Sequence, residues 1–301
     1  MEVVVVGGGS LGSLVGALLA RRHDVTLVGR EHQVAAIDDG GLTVEGVESF
    51  RVRPAATADW RGRADLAVVA VKAFDTAGAA ATLAAGEPGA VLSLQNGMGN
   101  EATLAECLDV PVVAGTTTLG AALEAPGRVA WNGRGGATVG PWTDDADRAA
   151  RLAGAALRTA GVPTTVTGAI REHLWEKLAV NAAINPLTAL AGTRNGAVAD
   201  PPLAGVARAA AAEVASVARS AGVDLADERA VEEAFAVARA TAANRSSMAR
   251  DVAAGRRTEV DAINGYVVDA ADGPVPVNAT LAGLVRAREA AGRGSAGEPG
   301  T

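Results

Sequence analysis

The run Glu2-Val-Val-Val-Val-Gly7 is apolar and β-branched, and it leads directly into Gly7-Gly-Gly9-Ser-Leu-Gly12 and then into the amphipathic stretch Leu11–Arg22. No other feature constrains the fold of this chain as tightly. A strand with no alternating polar face is buried on both sides, as in a parallel sheet covered by helices. The glycines that follow match G-x-G-x-x-G, a pattern that is weak alone but specific between a strand and a helix. There they permit a tight turn, close approach of a pyrophosphate and close packing of helix on strand. The alternative is a turn that serves structure only. Gly7, Gly9, Ser10, Leu11 and Gly12 are therefore read as cofactor-binding.

Short apolar runs recur at Val25–Val28, Leu66–Val71, Ala90–Leu94 and Pro111–Gly115, separated by helical stretches such as Thr76–Ala85 and Glu101–Cys107. This alternation predicts a doubly wound, Rossmann-type α/β domain. After Thr116 the pattern loosens into Gly-rich segments, with antiparallel pairing expected over Arg128–Val139, then a helix over Ala146–Ala160 and a strand at Pro163–Val166. From Ile170 the periodicity is helical at Leu203–Ala221, Glu228–Ala243, Ser247–Ala254, Glu259–Ala270 and Ala279–Ala291, with Asn195–Pro202 as a linker. The 301 residues suffice for two cores. The expected division is a dinucleotide-binding domain over 1–168, an all-α substrate domain over 169–291 and a disordered tail over 292–301.

Three further positions lie at the ends of predicted strands. The second strand closes on Leu27-Val28-Gly29-Arg30-Glu31, where a dinucleotide fold meets the cofactor ribose. Arg30 could pair with a 2′-phosphate and favours NADPH; Glu31 beside it keeps NADH open. Lys72 and Asn96 follow the next strands at the ligand-binding edge of such a sheet, although either could serve only as a turn former, Asn96 before Gly97 above all.

The second half carries a polar stripe in apolar sequence: Trp175-Glu-Lys177-Leu-Ala-Val-Asn181-Ala-Ala-Ile-Asn185-Pro186. Residues four apart advance about 40° around a helix, so Lys177, Asn181 and Asn185 share one face. Pro186 cannot donate to the carbonyl of Ala182 and is expected to kink or end the helix, leaving Asn185 beside unpaired backbone groups. A solvated face is the alternative, but the amides stand among Ala, Val, Ile and Leu. Farther on, Ser247 and Thr258 suit helix N-caps and Glu259 suits a helix N-terminus.

The formal net charge of −7 argues against nonspecific binding to nucleic acid or anionic membrane and points to small-molecule ligands. With one cysteine, Cys107, no intrachain disulfide or multi-cysteine metal site is possible, which fits a reducing, cytoplasmic setting. Met1 runs almost directly into the first strand with no basic leader, and no apolar run approaches the ~20 residues of a membrane span. His23, His32 and His173 lack metal-ligand spacing. The chain leaves open whether it forms a homodimer.

Taken together these motifs resemble the ketopantoate reductase (2-dehydropantoate 2-reductase) family over about residues 1 to 290. The resemblance rests on Lys177-Leu-Ala-Val-Asn181 with Ile184-Asn185-Pro-Leu-Thr-Ala, Asn195-Gly, Ser246-Ser247-Met with Asp251, and Thr258-Glu259-Val-Asp-Ala-Ile-Asn-Gly-Tyr. It implies NADPH-dependent reduction of 2-dehydropantoate to pantoate, a step of pantothenate and coenzyme A biosynthesis. It implies Lys177 as general acid and Glu259 as the substrate-binding carboxylate that works with it. Asn96, Asn181, Asn185, Asn195 and Ser247 become substrate-positioning groups, with Asn96 also facing the cofactor. Gly7, Gly9, Gly12, Arg30 and Lys72 become nucleotide contacts, and no metal is required. Gly8 and Glu31 are small variations near the cofactor. Two other readings share these motifs: a paralogue acting on another 2-oxo acid, and a noncatalytic NADP-binding sensor.

Overall fold

A computed structural model describes residues 1–295, with side chains through residue 292. It divides into two compact units, residues 1–95 with 99–170, and residues 96–98 with those from 171 onward.

The first unit runs β1 (Glu2–Val6), α1 (Ser10–Ala20), β2 (Asp24–Val28), α2 (Glu31–Gly40), β3 (Leu42–Gly46), β4 (Phe50–Val52), β5 (Ala55–Thr57), β6 (Arg63–Ala64), β7 (Leu66–Val69) and α3 (Thr76–Ala84). It continues with β8 (Glu87–Pro88), β9 (Val91–Ser93), α4 (Asn100–Cys107), β10 (Val112–Thr117), β11 (Gly120–Ala125), β12 (Arg128–Gly133), β13 (Ala137–Pro141), α5 (Asp147–Thr159) and β14 (Thr164–Val166). The main sheet has eight strands in the order β14-β13-β10-β9-β7-β1-β2-β5. Every neighbouring pair is parallel except β10 with β13.

The valines of β1 show why that strand is apolar throughout. Val3 and Val5 join one core with Leu14 and Leu18 of α1, while Val4 and Val6 join another with Ala80 and Leu83 of α3 and Leu104 of α4. Successive side chains point to opposite faces and both faces are covered, so no position tolerates a polar group. Each such valine contributes about 1.5–3 kcal/mol by leaving water.

A second sheet, β11-β12-β3-β4, lies outside the simple alternation. Antiparallel pairing does occur in the Gly-rich region, in β11 with β12 and β10 with β13. However, β3 and β4 left no mark in the sequence pattern. Their three to five residues alternate only partly, and only Leu42 and Val44 are buried.

The second unit is helical: α6 (Ile170–Ala191), α7 (Ala204–Ser220), α8 (Asp227–Ala240), α9 (Ser247–Ala253), α10 (Tyr266–Ala270) and α11 (Pro276–Ser295). Here α11 continues past Ala291, where the helical pattern was expected to stop; residues 296–301 of the expected tail lie outside the described residues. The expected helix over Glu259–Ala270 is instead a π turn, Asp261–Gly265, followed by α10. In that turn the Gly265 amide reaches back five residues to the Val260 carbonyl, 2.9 Å away.

Pro186 does not end α6, and the carbonyl expected to be left unpaired beside it finds a partner. The Ala182 carbonyl, deprived of its helical donor, accepts from Asn264 Nδ2 at 3.1 Å. The same amide nitrogen donates to Asn278 Oδ1 at 2.9 Å, and Asn278 Nδ2 in turn donates to Glu213 Oε2 at 2.8 Å. Glu213 also accepts from the Val277 and Asn278 amides in the first turn of α11, where a carboxylate is favoured by both hydrogen bonding and the helix dipole. A buried polar chain thus repairs the proline's defect. Among the described residues no helix is long and apolar enough to cross a membrane.

Candidate active site

The glycine turn between β1 and α1 belongs to the first unit. Gly7 has φ +123°, a conformation L side chains rarely adopt, and a Cβ there would stand 2.8 Å from the Ala70 carbonyl carbon. At Gly12 a Cβ would come within 1.8 Å of the Gly7 carbonyl oxygen, so only glycine lets α1 pass that close to the turn. A Cβ on Gly9, the N-cap of α1, would meet nothing within 4 Å among the described residues. Two glycines close the turn and the third leaves it open in front of a helix N-terminus, a cradle that suits a diphosphate.

The other residues of the turn divide between scaffold and ligand edge. Ser10 Oγ accepts from the Leu123 amide of β11 at 2.9 Å, and the Leu11 side chain packs against the core. Arg30 is exposed at the N-cap of α2. Lys72 is half-buried in extended backbone just before Ala73–Asp75. Both follow parallel strands at their C-terminal ends, where open α/β sheets bind ligands.

In the second unit α6 carries Lys177, Asn181 and Asn185 on one face with graded burial: the first two half-buried, Asn185 only 6% exposed. Two ties fix that part of α6 against the segment bearing Glu259. The Trp175 and Tyr266 rings pack at 59° with centroids 5.9 Å apart, and Asn264 holds the Ala182 carbonyl. Lys177 and Asn181 lie between these ties in sequence.

Glu259 is 5% exposed and stands two residues before the π turn, a feature frequent at functional sites. Asn96 meets it through a long hydrogen bond, Nδ2 to Glu259 Oε2 at 3.5 Å. The backbone around Asn96 is fixed on the same segment, since the Met98 amide donates to the Ala262 carbonyl at 2.9 Å. A Cβ at Gly97 would fall 2.6 Å from that carbonyl oxygen, so Gly97 is required for this close approach. Asn96 therefore does more than form a turn.

Asn195 is buried in the α6–α7 connection, with its amide bonded to the Asn244 carbonyl and its Nδ2 to Thr241 Oγ1, both at 2.9 Å. Its Oδ1 is buried and accepts no hydrogen bond among the described residues. Two cap assignments need correction. Ser246, not Ser247, caps α9: its Oγ accepts from the Ala249 amide at 3.0 Å and shares a hydrogen bond with Thr188 Oγ1 at 2.7 Å. Ser247 begins the helix half-buried, its hydroxyl released from the capping role. Thr258 Oγ1 accepts from the Val260 amide at 3.2 Å, a local turn ahead of the π turn. The sequence singled out neither Ser246 nor Thr188 for these contacts; the adjacent serines before Met248 were the available signal.

Two family models cover most of the chain: "Ketopantoate reductase PanE/ApbA" over residues 3–144 and "Ketopantoate reductase PanE/ApbA C terminal" over residues 169–289. The chain belongs to the ketopantoate reductase family. It is 46% identical over 298 residues to a 2-dehydropantoate 2-reductase of Halobacterium salinarum, covering 95% of this chain and 98% of the relative. A 2-dehydropantoate 2-reductase of Archaeoglobus fulgidus is 40% identical over 293 residues, covering 96% and 98%. A crystal structure of a PanE/ApbA family ketopantoate reductase from Ralstonia eutropha JMP134 superposes with a TM-score of 0.88 at 34% identity, over 97% of this chain and 100% of that one. The α/β unit followed by a helical unit is thus the architecture of a ketopantoate reductase.

Proposed function

We propose that this ketopantoate reductase family member reduces 2-dehydropantoate to pantoate with NADPH, as a step of pantothenate and coenzyme A biosynthesis. The observation that carries the proposal is the meeting of Asn96 with Glu259 beside the π turn, on a segment tied to α6 around Lys177 and Asn181. Family membership supports the reaction, and the glycine cradle suits the cofactor.

A bound nicotinamide dinucleotide supplies the hydride, and negative charge then grows on the ketone oxygen. The ammonium of Lys177 stabilises that oxygen and hands its proton to it, which is general acid catalysis and charge stabilisation by one group. Asn181 and Asn185, one and two turns along the same face, offer amide donors to the substrate carboxylate. Glu259 accepts from the 4-hydroxyl while Asn96 holds its carboxylate in place. The buried Oδ1 of Asn195 and the hydroxyl of Ser247 add polar contacts to the substrate. Arg30 favours NADPH by offering a charge-assisted partner to a 2′-phosphate. A cytoplasmic setting accompanies this function, in keeping with a single cysteine.

The test is NADPH oxidation by purified protein with 2-dehydropantoate, pyruvate and 2-oxoisovalerate in parallel. Turnover favouring 2-dehydropantoate is the expected result. Preference for another 2-oxo acid would replace the substrate, and absence of turnover with all three would overturn the proposal.

A further inference from the structure

Gln33 lies outside the glycine motif, yet its side chain controls the backbone of that motif. It is 1% exposed in the first turn of α2. Its Oε1 accepts from the Gly127 amide, in the turn between β11 and β12, at 3.0 Å, and its Nε2 donates to Ser13 Oγ at 3.1 Å. Ser13 is fully buried and donates its own proton to the Gly8 carbonyl at 3.1 Å. The direction of this relay is chemically fixed. A backbone N–H can only donate, so the amide oxygen of Gln33 faces Gly127 and its nitrogen faces Ser13.

The relay determines where the loop aims its donor. The Gly8 carbonyl and the Gly9 N–H belong to one planar trans peptide and point in opposite directions. Holding the carbonyl down on Ser13 therefore turns the Gly9 N–H away from the core, at the residue whose Cβ position meets nothing within 4 Å. The extra glycine of the motif has the same explanation. A Cβ on Gly8 would sit 3.0 Å from Gln33 Cγ and 3.3 Å from Leu27 Cδ2, so the loop rests on the stem of Gln33. At its backbone, Gln33 is bonded to the carbonyl of Arg30, the N-cap of α2, at 2.9 Å. One residue thus joins the glycine turn to the helix start that carries Arg30.

We propose that Gln33, acting through Ser13, is a positioning residue for the cofactor: it presents the Gly9 amide to the diphosphate common to NADPH and NADH. This rests on the cofactor role proposed above. The test is direct titration of NADPH and NADH into purified wild type, Ser13→Ala and Gln33→Leu, with kcat measured at saturating cofactor and Tm recorded for each. Ser13→Ala and Gln33→Leu are expected to raise Kd for both cofactors by a common factor, about fivefold to tenfold, the scale of one oriented hydrogen bond. The same variants should keep kcat within about twofold of wild type, because the chemistry lies elsewhere.

Ser13→Ala removes one oxygen atom and tests the relay even if Gln33→Leu does not fold. Variants that lose Tm but bind both cofactors like wild type would overturn the proposal, since the relay would then serve the fold alone. A change confined to NADPH would also overturn it, because the diphosphate is shared. Wild type that binds neither cofactor would refute the function itself, a result distinct from either.

Discussion

Asn264→Ala should destabilise the protein, by an amount that depends on what occupies position 186. Asn264 is fully buried, and its Nδ2 serves two acceptors, the Ala182 carbonyl and Asn278 Oδ1, which are also in fully buried residues. Truncation leaves both without this donor, at about 1–3 kcal/mol each. Part of that is offset, because the variant also deletes Asn264 Oδ1, which is buried with no hydrogen bond among the described residues. The net cost expected is about 2–4 kcal/mol. In a Pro186→Ala background the restored helical N–H reaches the Ala182 carbonyl, so only Asn278 Oδ1 is orphaned. The cost of Asn264→Ala should fall there by about 1–2 kcal/mol. Urea unfolding of the four proteins followed by far-UV circular dichroism closes this double-mutant cycle. Additivity within about 0.5 kcal/mol would refute the claim that Asn264 replaces the hydrogen bond that proline removes.

Other expectations concern the site itself. Lys177→Ala should lower kcat by about a hundredfold or more while cofactor Kd stays near wild type, as loss of a general acid requires; a wild-type rate in the folded variant would contradict the mechanism. Arg30→Ala should weaken NADPH by about tenfold or more and NADH little, read by parallel titrations, and equal losses would remove Arg30 from the 2′-phosphate. Gly12→Ala should abolish measurable binding of both cofactors, because its Cβ would stand 1.8 Å from the Gly7 carbonyl oxygen and the turn must move; unchanged affinity would refute the cradle.

The legible parts of this protein are those whose cause is local. Four valines in a row report a strand covered on both faces, and the glycines after them report a turn that side chains cannot enter. The four-residue spacing from Lys177 to Asn185 reports a helix face wherever that helix packs. What the sequence hid depends on partners distant in the chain. The carbonyl beneath Pro186 is satisfied from Asn264, beyond any local pattern, so the proline read as a break. Gln33 has the look of an ordinary polar helix residue until Gly127 and Ser13 are placed around it. Ser246 and Ser247 are equivalent as sequence, and only the Thr188 and Ala249 contacts show which of them caps α9.

The most direct test of the proposed enzyme is the ratio of kcat/KM for 2-dehydropantoate over 2-oxoisovalerate, which lacks the hydroxyl, in wild type and in Glu259→Gln. 2-Oxoisovalerate offers the buried Glu259 carboxylate no 4-hydroxyl, so the hydrogen bond proposed between substrate and carboxylate is lost with the smaller ketoacid. Wild type should therefore favour 2-dehydropantoate by about a hundredfold or more, and the ratio should shrink by about tenfold or more in the variant. A wild-type preference for 2-oxoisovalerate, or a ratio that the substitution leaves unchanged, would contradict the assignment of Glu259 and with it the proposed substrate.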